Sequence, residues 1–299
     1  MEIEAVLGAW ALKRALVLPA NPSQGRVVRA GQYFVQGQPI HETEFRNDPR
    51  YPRRTADVRV LAGPRGSAPV HLCRAGDVLP RSGIVLGDAE CVDDLRSWAA
   101  RVEDDTLCVG GVDFFRALLE KAGWKPNPHL RLTSVGSDTK SVFVCGTASS
   151  GKTTLMQTAA ARGVPLARLP PELFSGAGDS TTMLEEWVQR ILTSLAVAGS
   201  VVLVIDQPPI QDAARARQAA DFLVQGAWRL LREGAARRFL VEGGATASAL
   251  LQRLGWRRLE VEGELSPGIV CLTEPSAGSL RLIVKPGSYT WPPAAWPGG

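Results

Sequence analysis

Residues 142–155 read Val-Phe-Val-Cys-Gly-Thr-Ala-Ser-Ser-Gly-Lys-Thr-Thr-Leu. Ser141–Cys145 is a short apolar run rich in β-formers, Gly146–Thr154 is built of small residues, and Leu155–Ala161 has the pattern of a helix start. Within it, Gly146-x-x-x-x-Gly151-Lys152-Thr153 fits the phosphate-loop spacing in the strand–loop–helix context that spacing needs. Glycines let backbone N–H groups turn onto an anion, and a helix N-terminus adds partial positive charge. In this reading Lys152 reaches the outer phosphates of a nucleotide and Thr153 holds magnesium. Asp206, which closes the apolar run Val201–Ile205, is the acid that would hold the same ion through water. An Asp ending any parallel strand is the competing reading.

The chain around this stretch has 299 residues, enough for two domains with separate cores. An apolar content of 45% and a charged content of 21% are those of an ordinary globular protein. The net charge of +4 comes from scattered arginines, with no dense basic block of the kind that binds nucleic acid or a membrane surface. Five widely spaced cysteines form no disulfide framework. The three isolated histidines have no partner at zinc-ligand spacing. With no signal segment and no apolar run approaching 18 residues, the expected location is the cytoplasm.

Strand and helix patterns alternate along the whole chain, predicting two α/β domains with mainly parallel sheets. In the first, Glu2–Leu12 reads as an amphipathic helix and Arg14–Pro19 as a buried strand. Because such a sheet rarely starts on a crossover helix, an earlier strand is expected upstream of Met1, and this domain is read as N-terminally incomplete. Gly31–Ile40 predicts a hairpin, and Val58–Leu61, Val70–Leu72, Gly83–Leu86 and Thr106–Val109 predict strands. Helices are expected over 93–102 and after Gly110-Gly111. The first domain is placed at 1–124, a proline-marked linker at 125–132, the second domain at 133–290 and a tail at 291–299. In the second domain Val164–Leu169, Val201–Ile205, Arg238–Val241, Ile269–Leu272 and Leu280–Val284 predict strands, and Thr182-x-x-Glu185 predicts a capping box for a long helix. Gly243-Gly244-x-Thr246 forms a second strand–glycine–helix turn. The proline-rich tail is expected to be frayed or merely packed.

Several segments, in order, resemble the four-carbon acid sugar kinase family. They are Arg14–Arg26 with its Pro-Ala-x-Pro and Gly-Arg, Gly31 through His41-Glu42-Thr43-Glu44-Phe45 to Asp48-Pro49, Asp88-Ala89-Glu90 with Asp93-Asp94-Leu95, and Leu107–Gly111. In the second domain they are Gly146-Thr147-Ala148-Ser149, Gly243-Gly244-x-Thr246 and Lys285-Pro286-Gly287. The resemblance implies ATP-dependent phosphorylation, with Mg2+, of a small acid sugar such as a threonate, erythronate or oxo-tetronate. It implies an N-terminal acid-sugar domain and a C-terminal nucleotide domain, with ATP held by Gly146, Thr147, Ser149, Gly243, Gly244, Thr246, Lys285 and Gly287. Lys152 becomes an addition to that set. Arg26 and Asp48 are the acceptor-side candidates, and the catalytic residue is left unassigned. The family's Asp-Asp-x-Thr-Gly and Lys-x-Asp-Ser-Thr-Leu-Arg-Gly stretches would precede Met1, so the expectation is a truncated or mis-started copy or one half of a split enzyme with a separate N-terminal subunit, inactive alone, and the sheet edge left by a missing strand favours self-association. Two other readings stand beside it: a P-loop NTPase using Gly146–Thr153 and Asp206, and a non-catalytic nucleotide-binding remnant.

Overall fold

The alternation of strands and helices resolves into two units, Met1–Pro126 and Asn127–Gly299. The computed structural model describes residues 2–47, 51–63, 66–125, 127, 132, 140–146, 150–174, 179–207, 210, 212–276, 278–287 and 289–297, with only the backbone for 44, 47 and 150–153.

The first unit runs α1 (Glu2–Ala9), β1 (Arg14–Leu18), β2 (Arg26–Arg29), β3 (Gln32–Val35), β4 (Gln38–Pro39), α2 (Val58–Ala62), β5 (Val70–Cys73), β6 (Gly83–Gly87), α3 (Val92–Ala100), β7 (Thr106–Gly110) and α4 (Val112–Lys121). Its main sheet is parallel, in the order β5-β6-β1-β7. The predicted hairpin is the antiparallel meander β2-β3-β4. Leu16, Leu18 and Trp98 belong to one buried cluster with Phe114 and Ala117 of α4. A Cβ on Gly87 would strike both Trp98 and Leu18, so helix and sheet pack there at minimum distance.

Val58–Leu61, expected as a strand, is helical. Asp57 accepts the Arg59 N–H at 2.9 Å, and Gly63 closes the turn in the left-handed region at φ +58. The N-cap and C-cap outweigh the β-branched valines because the segment pairs with no strand.

The second unit runs β8 (Ser141–Cys145), α5 (Ser150–Ala161), β9 (Leu166–Arg168), α6 (Ser180–Ala198), β10 (Ser200–Val204), α7 (Ala213–Arg232), β11 (Arg238–Glu242), α8 (Gly244–Leu254), β12 (Glu260–Ser266), β13 (Ile269–Thr273) and β14 (Arg281–Lys285). The sheet order is β12-β13-β14-β11-β8-β10-β9. The strands from β14 to β9 are parallel, and β12 and β13 continue the sheet antiparallel. Strand β12 was not foreseen: its Glu-Val-Glu-Gly-Glu start is too acidic to read as a buried strand, but it lies at the sheet edge, where charge is tolerated. The α6 cap also differs from expectation. Asp179 caps the helix by accepting the Thr181 N–H at 2.9 Å, and Thr182 donates its hydroxyl to Asp179 at 2.7 Å instead of capping.

The two sheet faces are covered differently. Val142, Val144, Leu203 and Val241 pack with Trp187 and Leu195 of α6, Leu223 and Leu230 of α7 and Leu250 of α8. On the opposite face Phe143, Cys145, Val204 and Leu240 pack with Leu155 and Ala159 of α5 and with Ala295 and Trp296 of the tail. Trp296 stacks on Phe143 with centroids 4.5 Å apart, and Trp291 meets the same ring edge-on at 5.8 Å. The described part of the tail is therefore core, not frayed.

Across the antiparallel edge, Arg281 forks onto Glu262 at 2.7 and 2.5 Å beside the Cys271 thiol. The guanidinium holds the Glu262 carboxyl below its ordinary value, while burial and then the Glu262 charge push the thiol up to about 12. A carboxyl with a depressed pKa stabilises the fold above its ordinary titration range and loses that contribution as pH falls through its folded value. The stability difference between wild type and Glu262→Gln is therefore expected to be largest near neutrality and to shrink on acidification below about pH 4.5, read by denaturant midpoints across pH. Trp296→Ala is expected to cost about 3–5 kcal/mol in urea unfolding, the range for deleting a buried aromatic side chain.

Candidate functional site

Parallel strands with equal registers end level, and three of them do so here. Cys145 of β8 pairs with Glu242 of β11, and Glu242 pairs with Lys285 of β14. Gly146, Gly243 and Pro286 follow these residues directly, so three turns line one edge of the sheet. From β8 the chain leaves through α5 toward β9 and β10 on one side; from β11 it leaves through α8 toward the opposite edge. Helices α5 and α8 also lie on opposite sheet faces. A crevice between strands whose chains depart in opposite directions is the topological switch point where open α/β sheets bind ligands.

The residues at that crevice are shaped for a close backbone approach. Gly243 has φ +96, outside the range of ordinary L residues, and its N–H donates to the Lys285 carbonyl at 2.8 Å. A Cβ on Gly146 would sit 2.3 Å from the Thr246 Oγ1, and one on Gly243 3.7 Å from the same atom. Gly146, Gly243 and Thr246 thus meet across two adjacent strands. Gly244 is the first residue of the eleven-residue α8, whose N-terminal N–H groups open onto the crevice edge. These features fit a phosphate chain: small, donor-rich, and bounded by positions where a side chain would collide.

The other nominated residues separate. Thr147 and Ser149 lie outside the described residues, as does Asp48 in the first unit. Lys152 and Thr153 fall in the first turn of α5, on backbone alone. Gly287 lies in the turn after β14. Lys285 is buried: its Nζ is 3.2 Å from the equally buried Glu242 carboxylate, donates to the Pro286 carbonyl at 3.0 Å and to the Tyr289 carbonyl, and lies 5.4 Å over the Trp291 ring. Burial pushes the Glu242 carboxyl up and the Lys285 ammonium down, and their mutual attraction opposes both. Asp206 is paired with Arg168 at 2.8 Å. Among the described residues no group of three or more His, Cys, Asp or Glu could hold a metal ion.

In the first unit, Arg26 opens onto a cavity of about 340 Å³ between the β1–β6 sheet face and the meander. Val17 and Leu86 form one wall, while Tyr33, Phe45, Val58 and Leu61 form the other. Arg26 lies 5.6 Å over the Phe45 ring, and Arg53 also lines the space. Among the described lining residues the charged side chains are Arg26 and Arg53, a lining chemically suited to an anion. Tyr33 donates to the Pro19 carbonyl at 3.4 Å, and burial raises its pKa despite Arg26, keeping the phenol protonated.

Asp113, missed in the sequence, holds the loop that presents Arg26. Its buried carboxylate accepts the Ser23 N–H at 2.8 Å and the Ser23 hydroxyl at 2.9 Å, and its own N–H donates to Asn21 Oδ1 at 3.2 Å. An acid in the first helical turn after Gly110-Gly111 was the available signal. Those two glycines serve packing: a Cβ on Gly110 would lie 2.6 Å from the Leu18 carbonyl oxygen, and one on Gly111 3.2 Å from that of Ala20.

Residues 1–118 match the sequence model of a sugar-binding N-terminal domain, and residues 142–289 that of a nucleotide-binding C-terminal domain. The chain is 28% identical over 306 residues to a 3-oxo-tetronate kinase of Methylobacterium radiotolerans, covering 92% of this chain and 70% of the relative. It is 27% identical over 315 residues to a D-threonate kinase of Cupriavidus necator, covering 94% and 72%. The crystal structure of a Haemophilus influenzae protein shares the fold, with a TM-score of 0.62 and 21% identity over 96% of this chain and 73% of that one. The chain belongs to the four-carbon acid sugar kinase family. No helix among the described residues is long and apolar enough to cross a membrane.

Because φ +96 is strained for any residue with a Cβ, Gly243→Ala is expected to lower stability by about 1–3 kcal/mol in urea unfolding. In Gly146→Ala the new methyl meets Thr246 Oγ1, and adding Thr246→Ala is expected to recover most of that loss.

Proposed function

We propose that this chain phosphorylates a four-carbon acid sugar of the threonate, erythronate or oxo-tetronate class from ATP. The observation that carries the reading is the meeting of Gly146, Gly243 and Thr246 at the switch point of the second unit, with α8 starting beside them. The nucleotide phosphates lie along these turns, where backbone N–H groups and the α8 dipole offset their charge. Bound magnesium would reach the site on the phosphates themselves, as it does where proteins provide few carboxylates, and would neutralise charge on the transferred group. The acid sugar places its carboxylate on Arg26 and Arg53, with the Tyr33 ring lining the space and its hydroxyl proton directed to the Pro19 carbonyl. Arg26 keeps its orientation through Phe45 on one side and the Asp113-braced loop on the other.

The test is ADP formation by the purified chain with ATP, magnesium and a panel of four-carbon acids. Acid-dependent ADP release, against the inactivity expected from the motifs placed before Met1, is the result this reading requires, with Arg26→Ala raising the KM for the acid about 10- to 100-fold, the scale of one charge-assisted hydrogen bond. ATP binding without acid-dependent turnover would overturn the kinase reading and leave a nucleotide-binding member of the family. Absence of ATP binding would overturn both.

A further inference from the structure

Two of the turns at the crevice are tied together by a pair of buried side chains. Glu242 is the last residue of β11 and Lys285 the last of β14. They are register partners, and each is 1% exposed. An ammonium group has three N–H donors. Lys285 donates to the Pro286 carbonyl and the Tyr289 carbonyl, its Nζ lies 3.2 Å from the Glu242 carboxylate as an ion pair, and the Trp291 face fills the remaining side. Glu242 immediately precedes the Gly243 turn; the two carbonyls belong to the turn after β14. Both turns are also closed by main-chain bonds, Gly243 N–H to the Lys285 carbonyl at 2.8 Å and Tyr289 N–H to the Pro286 carbonyl at 3.1 Å.

Resting on the nucleotide reading above, we propose that Glu242 and Lys285 are positioning residues, a buried ion pair that sets the Gly243 turn against the Pro286–Tyr289 turn so that backbone groups, and not the Lys285 ammonium, receive the phosphates. Stability alone does not explain such a pair. Desolvating two charges costs about as much as their attraction returns, and well-packed apolar replacements of buried pairs are often as stable or more so. What a buried polar cluster of this kind supplies is one geometry, here set by the charge contact between Lys285 Nζ and a Glu242 carboxylate that accepts no well-aligned hydrogen bond among the described residues. Here that geometry is imposed beside a glycine at φ +96, and on a turn that carries Trp291 against Phe143. A lysine buried to 1% exposure, donating to two carbonyls and paired with a carboxylate 3.2 Å away, would have to break this cluster to make a direct phosphate contact.

Glu242→Gln, Lys285→Met and the double variant separate the alternatives, read by amide hydrogen exchange on the ligand-free protein, thermal midpoint and ATP affinity. Removing both charges in the double variant is expected to speed exchange at Gly243 and Tyr289 at least tenfold while Phe239–Val241 and the midpoint hold, and to weaken ATP binding about tenfold. Glu242→Gln, which leaves the Lys285 charge buried and unpaired, is expected to show the same local loosening and ATP loss with a lower midpoint. Lys285→Met is expected to match it, and the double variant to be no worse than either single, because all three remove one coupled unit. Unchanged exchange at the two turns in Glu242→Gln overturns the proposal, as does a general loss of protection with a falling midpoint in the double variant, which marks a merely structural pair. Lost ATP affinity in Lys285→Met with wild-type affinity in Glu242→Gln makes Lys285 a direct phosphate ligand and also overturns it. Should Lys285→Met not fold, Glu242→Gln carries the test alone. If wild type binds no ATP, the nucleotide reading fails by itself, and the exchange measurements still judge the pair.

Discussion

The level ending of β8, β11 and β14 is the constraint on which the second unit depends. In a parallel sheet the register is held by evenly spaced main-chain bonds and by apolar residues buried on both faces, so a slip would bury the wrong side chains. With Cys145, Glu242 and Lys285 in line, the glycine turns that follow must lie side by side. With α5 and α8 leaving on opposite faces, those turns border an open crevice instead of a covered one. The chemistry proposed for this edge is a consequence of strand order and register before it is a property of any side chain.

The uneven covering of the two faces bears on the same edge. Three helices bury one face, whereas α5 and a proline-rich tail bury the other. The tail supplies Trp296 to stack on Phe143, and Trp291 to bridge Phe143 and the Lys285 ammonium. Packing under the sheet and geometry at its carboxyl edge therefore share residues. A segment that looks dispensable in composition is part of both.

The two units solve different recognition problems with different materials. The second offers backbone and glycine, suited to a phosphate chain that must lie close to the main chain. The first offers guanidinium groups and a phenol in an otherwise apolar cavity, suited to a compact anion whose charge must be neutralised away from water. Asp113 shows how the first is kept in place: one buried carboxylate accepts two bonds from Ser23 and thereby fixes the loop that leads to Arg26.

Much of this was legible in the chain. The alternation of β-rich runs with amphipathic helices, and glycine pairs after strands, are local patterns, and they announce α/β units and the glycine turns; Arg26 enters, with Asp48, only through the family resemblance. Other features were settled by tertiary context. Val58–Leu61 has strand composition but lies between two helix caps with no strand to pair with. The acidic β12 is acceptable only because it occupies an edge. Lys285 stands in a motif that suggests a ligand contact, yet its partner Glu242 lies 43 positions earlier, and nothing local reveals that the two are register neighbours. Sequence by itself determined which residues can turn, cap and alternate, because those are properties of a few neighbouring dihedral angles. The structure alone decided which turns meet, which charges are buried together and which face the tail covers, because those depend on strand order and register across the whole sheet.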